Sequence, residues 1–200
     1  MKKRYVKLIT LFSLFGLFGL TLEAQAAFKP KIPKGWTLVT VKNKGSIPDN
    51  ARGIVLEAFD DPKCKVVAYD PVAADQGHIA MMGFNVEPIN ISDGSVQLTD
   101  SIRDKYFEDS FVELSQNFKK SPGHNLVDAT KFAIGNQKIM RFILDGYLSL
   151  LVKNGPTYRT MVYMFLSGGS LMSVVFSAPL NDFPKYGDAF QSTFKNSFGN

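Results

Sequence analysis

Nucleophilic, acid–base and metal chemistry near neutral pH draws mainly on thiols, imidazoles and carboxylates. This chain supplies one Cys, two His and 18 Asp+Glu. The thiol, Cys64, stands between Lys63 and Lys65, two cations that could favour its thiolate. No second cysteine completes a C-x-x-C pair or a disulfide, so a partly buried or turn cysteine beside solvated lysines is the plainer expectation. Asp70, Asp75 and His78 fall within nine residues, with Asp60 and Asp61 upstream. Carboxylates and an imidazole could hold a divalent ion there, although the spacing matches no EF-hand and loops between strands are commonly rich in Asp. His124 follows Ser121-Pro122-Gly123 at an expected helix end, where the dipole favours a cation, and reads as surface. No serine occupies a G-x-S-x-G elbow. Ser170, in Ser167-Gly168-Gly169-Ser170, reads as hairpin punctuation, and Gly168-Gly169 lacks the lysine and helix of a phosphate loop. Met81, Met82, Met161, Met164 and Met172 could form an adaptable surface or a copper cluster, but they lie in strand-like runs, so packing is expected. Asn90-Ile91-Ser92 is a glycosylation triplet, expected to stay unmodified behind a head of bacterial type. No residue is assigned as catalytic or cofactor-binding, no cofactor is expected, and a metal set is left open.

The elements that must position these residues follow from pattern. Trp36–Lys42 alternates and is rich in β-branched residues, which predicts a strand. Lys44–Arg52 reads as a loop, and Gly53–Phe59 and Lys65–Tyr69 as short apolar runs around an Asp60-Asp61-Pro62 turn. His78–Val86 alternates, with Ala80, Met82, Phe84 and Val86 on one face, and Pro88–Gly94 is a loop. Thr99–Lys119 is the first predicted helix. It has N-cap residues at its start, Asp104 in its first turn, and Phe107, Phe111, Leu114 and Phe118 on one stripe. Leu126–Ser177 reads as a strand meander, broken at Gly135-Asn136, Asn154-Gly155-Pro156 and Ser167–Ser170. Asp145-Gly146 is either a further break or part of one long bent strand. A second helix follows, capped by Asp182, with Pro184 in its first turn and Phe183, Tyr186, Phe190, Phe194 and Phe198 on one side. Both stripes are expected to be core rather than the lining of a ligand cavity. Helices that bury one stripe need a sheet to bury it against, so the class is α+β.

The chain opens with a basic head (Lys2, Lys3, Arg4, Lys7), an apolar run from Leu8 to Leu22, and Ala24-Gln25-Ala26. These form an export signal cut before Ala27, with an apolar run too short to span a bilayer. Residues 1–26 are therefore signal and 27–200 a single domain. Four basic residues and Glu23 leave with the signal, so of 23 Lys+Arg and 18 Asp+Glu the remainder keeps 19 and 17, a net of +2. That balance gives no reason to expect nucleic acid, or strong membrane binding after cleavage, and the protein is expected in the periplasm or secreted.

The Ile32-Pro33-Lys34-Gly35-Trp36 opening, the Leu171-Met172-Ser173-Val174-Val175-Phe176-Ser177-Ala178-Pro179 strand and the closing Phe194-Lys195-Asn196-Ser197-Phe198 resemble the Mog1/PsbP-like family. The resemblance spans most of residues 30–199. It implies an antiparallel sheet covered by helices on both faces (an α/β/α sandwich) and a binding or assembly module rather than a reaction. No shared catalytic position is matched. The expectation is thus an exported non-enzymatic module whose partner is another envelope protein. The rival is a small envelope hydrolase or metal-dependent enzyme using the Asp70–His78 loop. A large apolar cleft without converging ionisable groups favours the first, and a pocket joining a histidine to carboxylates favours the second.

Overall fold

The computed structural model describes residues 28–89, 99–147, 156–167 and 169–198. The export signal and its cut, the Asn90 triplet, the Asn154-Gly155 break and Gly168 lie outside the described residues. Strands β1 (Thr37–Leu38), β2 (Cys64–Tyr69), β3 (Met81–Pro88), β4 (His124–Ile134), β5 (Gln137–Gly146), β6 (Tyr158–Ser167) and β7 (Ser170–Pro179) are accompanied by α1 (Asp49–Phe59), α2 (Pro71–Asp75), α3 (Asp100–Lys120) and α4 (Phe183–Asn196). The strands form one antiparallel sheet in the order β1-β2-β3-β7-β6-β5-β4. Among the described residues no helix is long and apolar enough to cross a membrane.

Successive residues of a strand point to opposite faces, and here they enter different cores. Met82, Phe84, Met161, Tyr163, Val174 and Phe176 pack with Phe190 and Phe194 of α4. Met140, Phe142, Val162 and Met164 pack with Phe107 and Phe118 of α3 on the other face. Further along that second face, Val67, Tyr69 and Met81 pack with Ala51 and Val55 of α1. The sheet is therefore covered on both sides, by α4 on one and by α1 and α3 on the other. The five methionines are buried within these clusters, in keeping with packing. Both aromatic stripes are core: Phe107, Phe118, Phe183, Phe190 and Phe194 are buried, and Phe111, Leu114, Tyr186 and Phe198 pack against the clusters.

The α3 boundaries follow their local signals. Thr99 Oγ1 accepts from the Ile102 N–H, and Lys119 and Lys120 occupy the last turn. Two expectations need correction. Trp36–Lys42 is a strand over only two residues, because Thr40 N–H donates to Asn43 Oδ1 (2.7 Å) and Asn43 Nδ2 to the Leu38 carbonyl (2.8 Å). This side-chain turn draws the chain out of the sheet. The expected loop and apolar run from Lys44 to Phe59 are a 3-10 turn at Lys44–Ser46 and then α1. Ala51 and Val55, four apart, are its buried positions. Asp145 and Gly146 form the paired end of β5, and the chain that would separate a break from a longer bent strand lies outside the described residues. Gly146 is needed there for close approach, since a Cβ would lie 2.6 Å from the Gly123 carbonyl oxygen and from the His124 ring.

Candidate functional site

The sheet face under α1 and α3 is not sealed at its centre. Strands β3 and β7 lie side by side there, and their inward positions are Met81, Gly83, Asn85 and Glu87 opposite Ser177, Val175, Ser173 and Leu171. Thr160 and Val162 of β6 continue the rows. Small and polar side chains replace the large apolar ones of the other face, so a cleft of about 310 Å³ stays open between the two helices. Ile54 and Ala58 of α1 form one wall, and Tyr106, Leu114 and Phe118 of α3 the other. This volume lies at the lower end of the range for small-molecule sites.

The floor is polar but satisfied. Asn85 Nδ2 donates to Ser173 Oγ at 3.3 Å, and the Thr160 and Ser177 hydroxyls are 2.9 Å apart. Ser173 and Ser177 are buried. At one end Lys63 Nζ donates to Glu87 Oε1 at 2.8 Å, an ion pair whose carboxylate is largely shielded from water. Lining carboxylates (Glu57, Asp61, Glu87, Glu113) outnumber the one lining lysine, Lys63, so the cleft favours a positive group. Cys64 also lines it. A bulge between Cys64 and Val66 turns Cys64 to face Asn85 across the β2–β3 pair. Its Sγ lies 3.3 Å from the Val66 carbonyl, and burial pushes the thiol up to about 11, the opposite of an activated cysteine. The flanking lysines do not overcome that desolvation.

The Asp70–His78 set is dispersed. Asp70 caps α2, accepting from Val72 N–H with Oδ1 (2.9 Å) and from the Tyr186 hydroxyl with Oδ2 (2.8 Å). The loop expected here is thus partly a short helix. Asp75 is exposed at its end. His78 Nδ1 donates to Asp182 Oδ2 at 2.7 Å. Asp182 stands at the N-cap position of α4 but makes no capping bond. Its carboxylate also accepts from Lys185 (2.6 Å), and these two bonds hold it below the usual carboxylate range. His124 is not a free surface residue: it is half-buried, with Nε2 3.1 Å from the Tyr147 carbonyl. Ser170 pairs with Ser167 across the β6–β7 hairpin, as punctuation should. Among the described residues no three His, Cys, Asp or Glu side chains are placed to hold a metal ion together. Neither histidine lines the cleft.

The cleft residues Gly83, Asn85, Glu87, Thr160, Ser173 and Ser177 were not singled out from sequence. The signal was present in β7, where Met172, Val174 and Phe176 alternate with Ser173, Val175 and Ser177, and in β3, where Met82 and Phe84 alternate with Gly83 and Asn85. One face of two buried strands is small or polar, which marks a place that no helix stripe fills.

No protein-family model matches the chain, and no curated protein matches it in sequence. Several solved structures are similar. Cyanobacterial PsbP (CyanoP) from Synechocystis sp. PCC 6803 is 14% identical over 92% of this chain and 97% of its own, with a TM-score of 0.48. LpqN, involved in cell envelope biogenesis of Mycobacterium tuberculosis, is 12% identical over 84% and 80%, with a TM-score of 0.49. A protein of unknown function from Pseudomonas aeruginosa is 11% identical over 58% and 70%, with a TM-score of 0.43. At such low identity the α+β class rests on the sheet and helices themselves.

Proposed function

We propose that the chain is an exported, non-enzymatic binding module of the cell envelope, and that it binds its partner in the cleft between α1 and α3. The export half of this reading rests on the basic head, the apolar run and the Ala24-Gln25-Ala26 site. The binding half is carried by one observation: an apolar-walled cleft whose floor hydroxyls and amide already satisfy one another, and which contains no imidazole. Such a site offers burial and a few hydrogen bonds but no imidazole to serve as general base. Its excess of carboxylates suits a partner protein that inserts an apolar group beside a positive charge. The rival, a small hydrolase or metal-dependent enzyme, keeps the His78–Asp182 pair as its possible base and orienting acid, but that pair lies outside the cleft.

Gly83 offers the test. A Cβ there would meet only Cys64 Sγ, at 3.9 Å, and the residue has no positive φ. Gly83→Val should therefore fold, with a β-branched residue suited to a strand, while filling the cleft floor. Crosslinking in the native envelope should recover a partner with the parent and lose it with Gly83→Val. Retention of the partner would remove the cleft from the reading. A His78→Ala, His124→Ala double variant should behave like the parent. If it folds and is exported yet matches a deletion strain, the enzyme reading takes over.

A further inference from the structure

A second cavity, of about 300 Å³, lies on the opposite face of the sheet beside the C-terminal half of α4. Its floor is a single row across three strands, because Thr130 pairs with Arg141 and Arg141 with Tyr163. Phe132 adds an apolar side. From α4 come Gln191, Phe194 and Lys195, whose spacing of three and four puts them on one side of the helix.

Two polar atoms here have no partner in the protein. Thr130 Oγ1 and Arg141 Nε are buried without a hydrogen-bond partner. Asp128 occupies only Nη2 of the guanidinium, at 2.8 Å. A buried donor left unmade costs about 1–3 kcal/mol, and more when charged, so native structures rarely retain one without a use. Tyr163, the cross-strand partner of Arg141, adds a phenol hydroxyl that can donate. Lys195 is exposed and has no ion-pair partner among the described residues. Thr130, Arg141, Tyr163 and Lys195, from four elements and two of them cationic, thus line one space with Phe132 and Phe194.

We propose that this cavity binds a small organic carboxylate, its oxygens held by Arg141, Thr130, Tyr163 and Lys195 and its apolar part between Phe132 and Phe194. The planar guanidinium matches a carboxylate in geometry, and the two rings favour an organic acid over a bare inorganic anion. The site is independent of the cleft, being separated from it by the thickness of the sheet.

The test is an amide-resolved NMR titration of the exported protein with benzoate, its neutral isostere benzamide, and inorganic phosphate. Saturable benzoate shifts are expected at Thr130, Arg141, Tyr163 and Lys195. Benzamide should bind at least tenfold more weakly. Lys195→Met, an exposed change that should leave the urea midpoint unaltered, should weaken benzoate about tenfold, equivalent to about 1.4 kcal/mol. Equal binding of benzoate and benzamide overturns the anion assignment. Phosphate binding as tightly as benzoate overturns the carboxylate class. Shifts confined to Gly83 and Ser173, or no saturable shift with any probe, overturn the site.

Discussion

Replacing Phe194 by Ala tests how the fold is held together. The side chain is 1% exposed and lies at the centre of the α4 stripe. Its ring stacks on Tyr163 with centroids 3.9 Å apart and an interplanar angle of 8°. It meets Phe198 edge-on at 5.2 Å and Phe165 at 6.2 Å, with Phe28 at 6.0 Å. Removing a buried Phe costs about 3–5 kcal/mol from lost transfer and the cavity left behind, and an aromatic pair adds roughly 0.5–1.5 kcal/mol beyond area. Because one ring serves several pairs, the loss should sit in the upper half of that range, about 4–5 kcal/mol. With a urea m-value of about 2 kcal/mol/M, the midpoint should fall by about 2 M. Urea melts followed by circular dichroism measure this directly. The control is Phe111→Ala on α3, half-buried and stacked on Phe142 at 5.5 Å, which should lose roughly half as much. A Phe194→Ala loss below about 1 kcal/mol, or one no larger than that of Phe111→Ala, would refute the view that α4 is docked by its aromatic stripe.

Cys64, pushed up to about 11 by burial, should react with a disulfide reagent at neutral pH well below the rate of a model thiol. The folded thiol favours its neutral form, so its contribution to stability is intact below the unfolded value of about 8.5 and declines as the pH rises towards 11. Fast labelling at pH 7 would contradict that burial. Asp182, lowered by its bonds to Lys185 and His78, stabilises the fold above the unfolded carboxylate value of about 3.9 and loses that effect as the pH falls through its lower folded value. The stability deficit of Asp182→Asn, measured by urea melts, should thus shrink between pH 6 and pH 2, and a deficit constant over that range would refute the pairing. The intact mass of the protein in the envelope fraction should correspond to a chain starting at Ala27, whereas full-length mass in membranes would mean that Leu8–Leu22 is retained as an anchor.

Much of the architecture was legible locally. The four-and-three spacing from Phe107 to Phe118 identified a helix and its buried side, because a stripe at that period can serve only one face. The alternation of Ala80, Met82, Phe84 and Val86 identified the face of β3 that enters the α4 core. Gly-Gly at the β6–β7 turn marked a hairpin, and Gly169 has a φ of 76°, the left-handed conformation that glycine adopts most readily. Legibility failed where one local signal masked another. Asp49 and Asn50 look like loop residues but begin α1, whose Ala51 and Val55 stripe is short. Trp36–Lys42 looks like a strand, but the Thr40–Asn43 side-chain turn ends it.

By itself, then, the sequence determined the helix stripes, most strand positions and which side of several strands is apolar, because these depend on residues within a few positions of one another. Only the tertiary structure decided which strands lie side by side. The β3–β7 pairing brings Asn85 against Ser173, 88 residues away, and thereby opens the cleft. The β4–β5–β6 register lines up Thr130, Arg141 and Tyr163, and the docking of α4 brings Lys195 over them and Asp182 to His78, 104 residues distant. Local periodicity specifies which face must be buried. What it is buried against, and where two covering helices leave a gap, depends on packing all the elements at once.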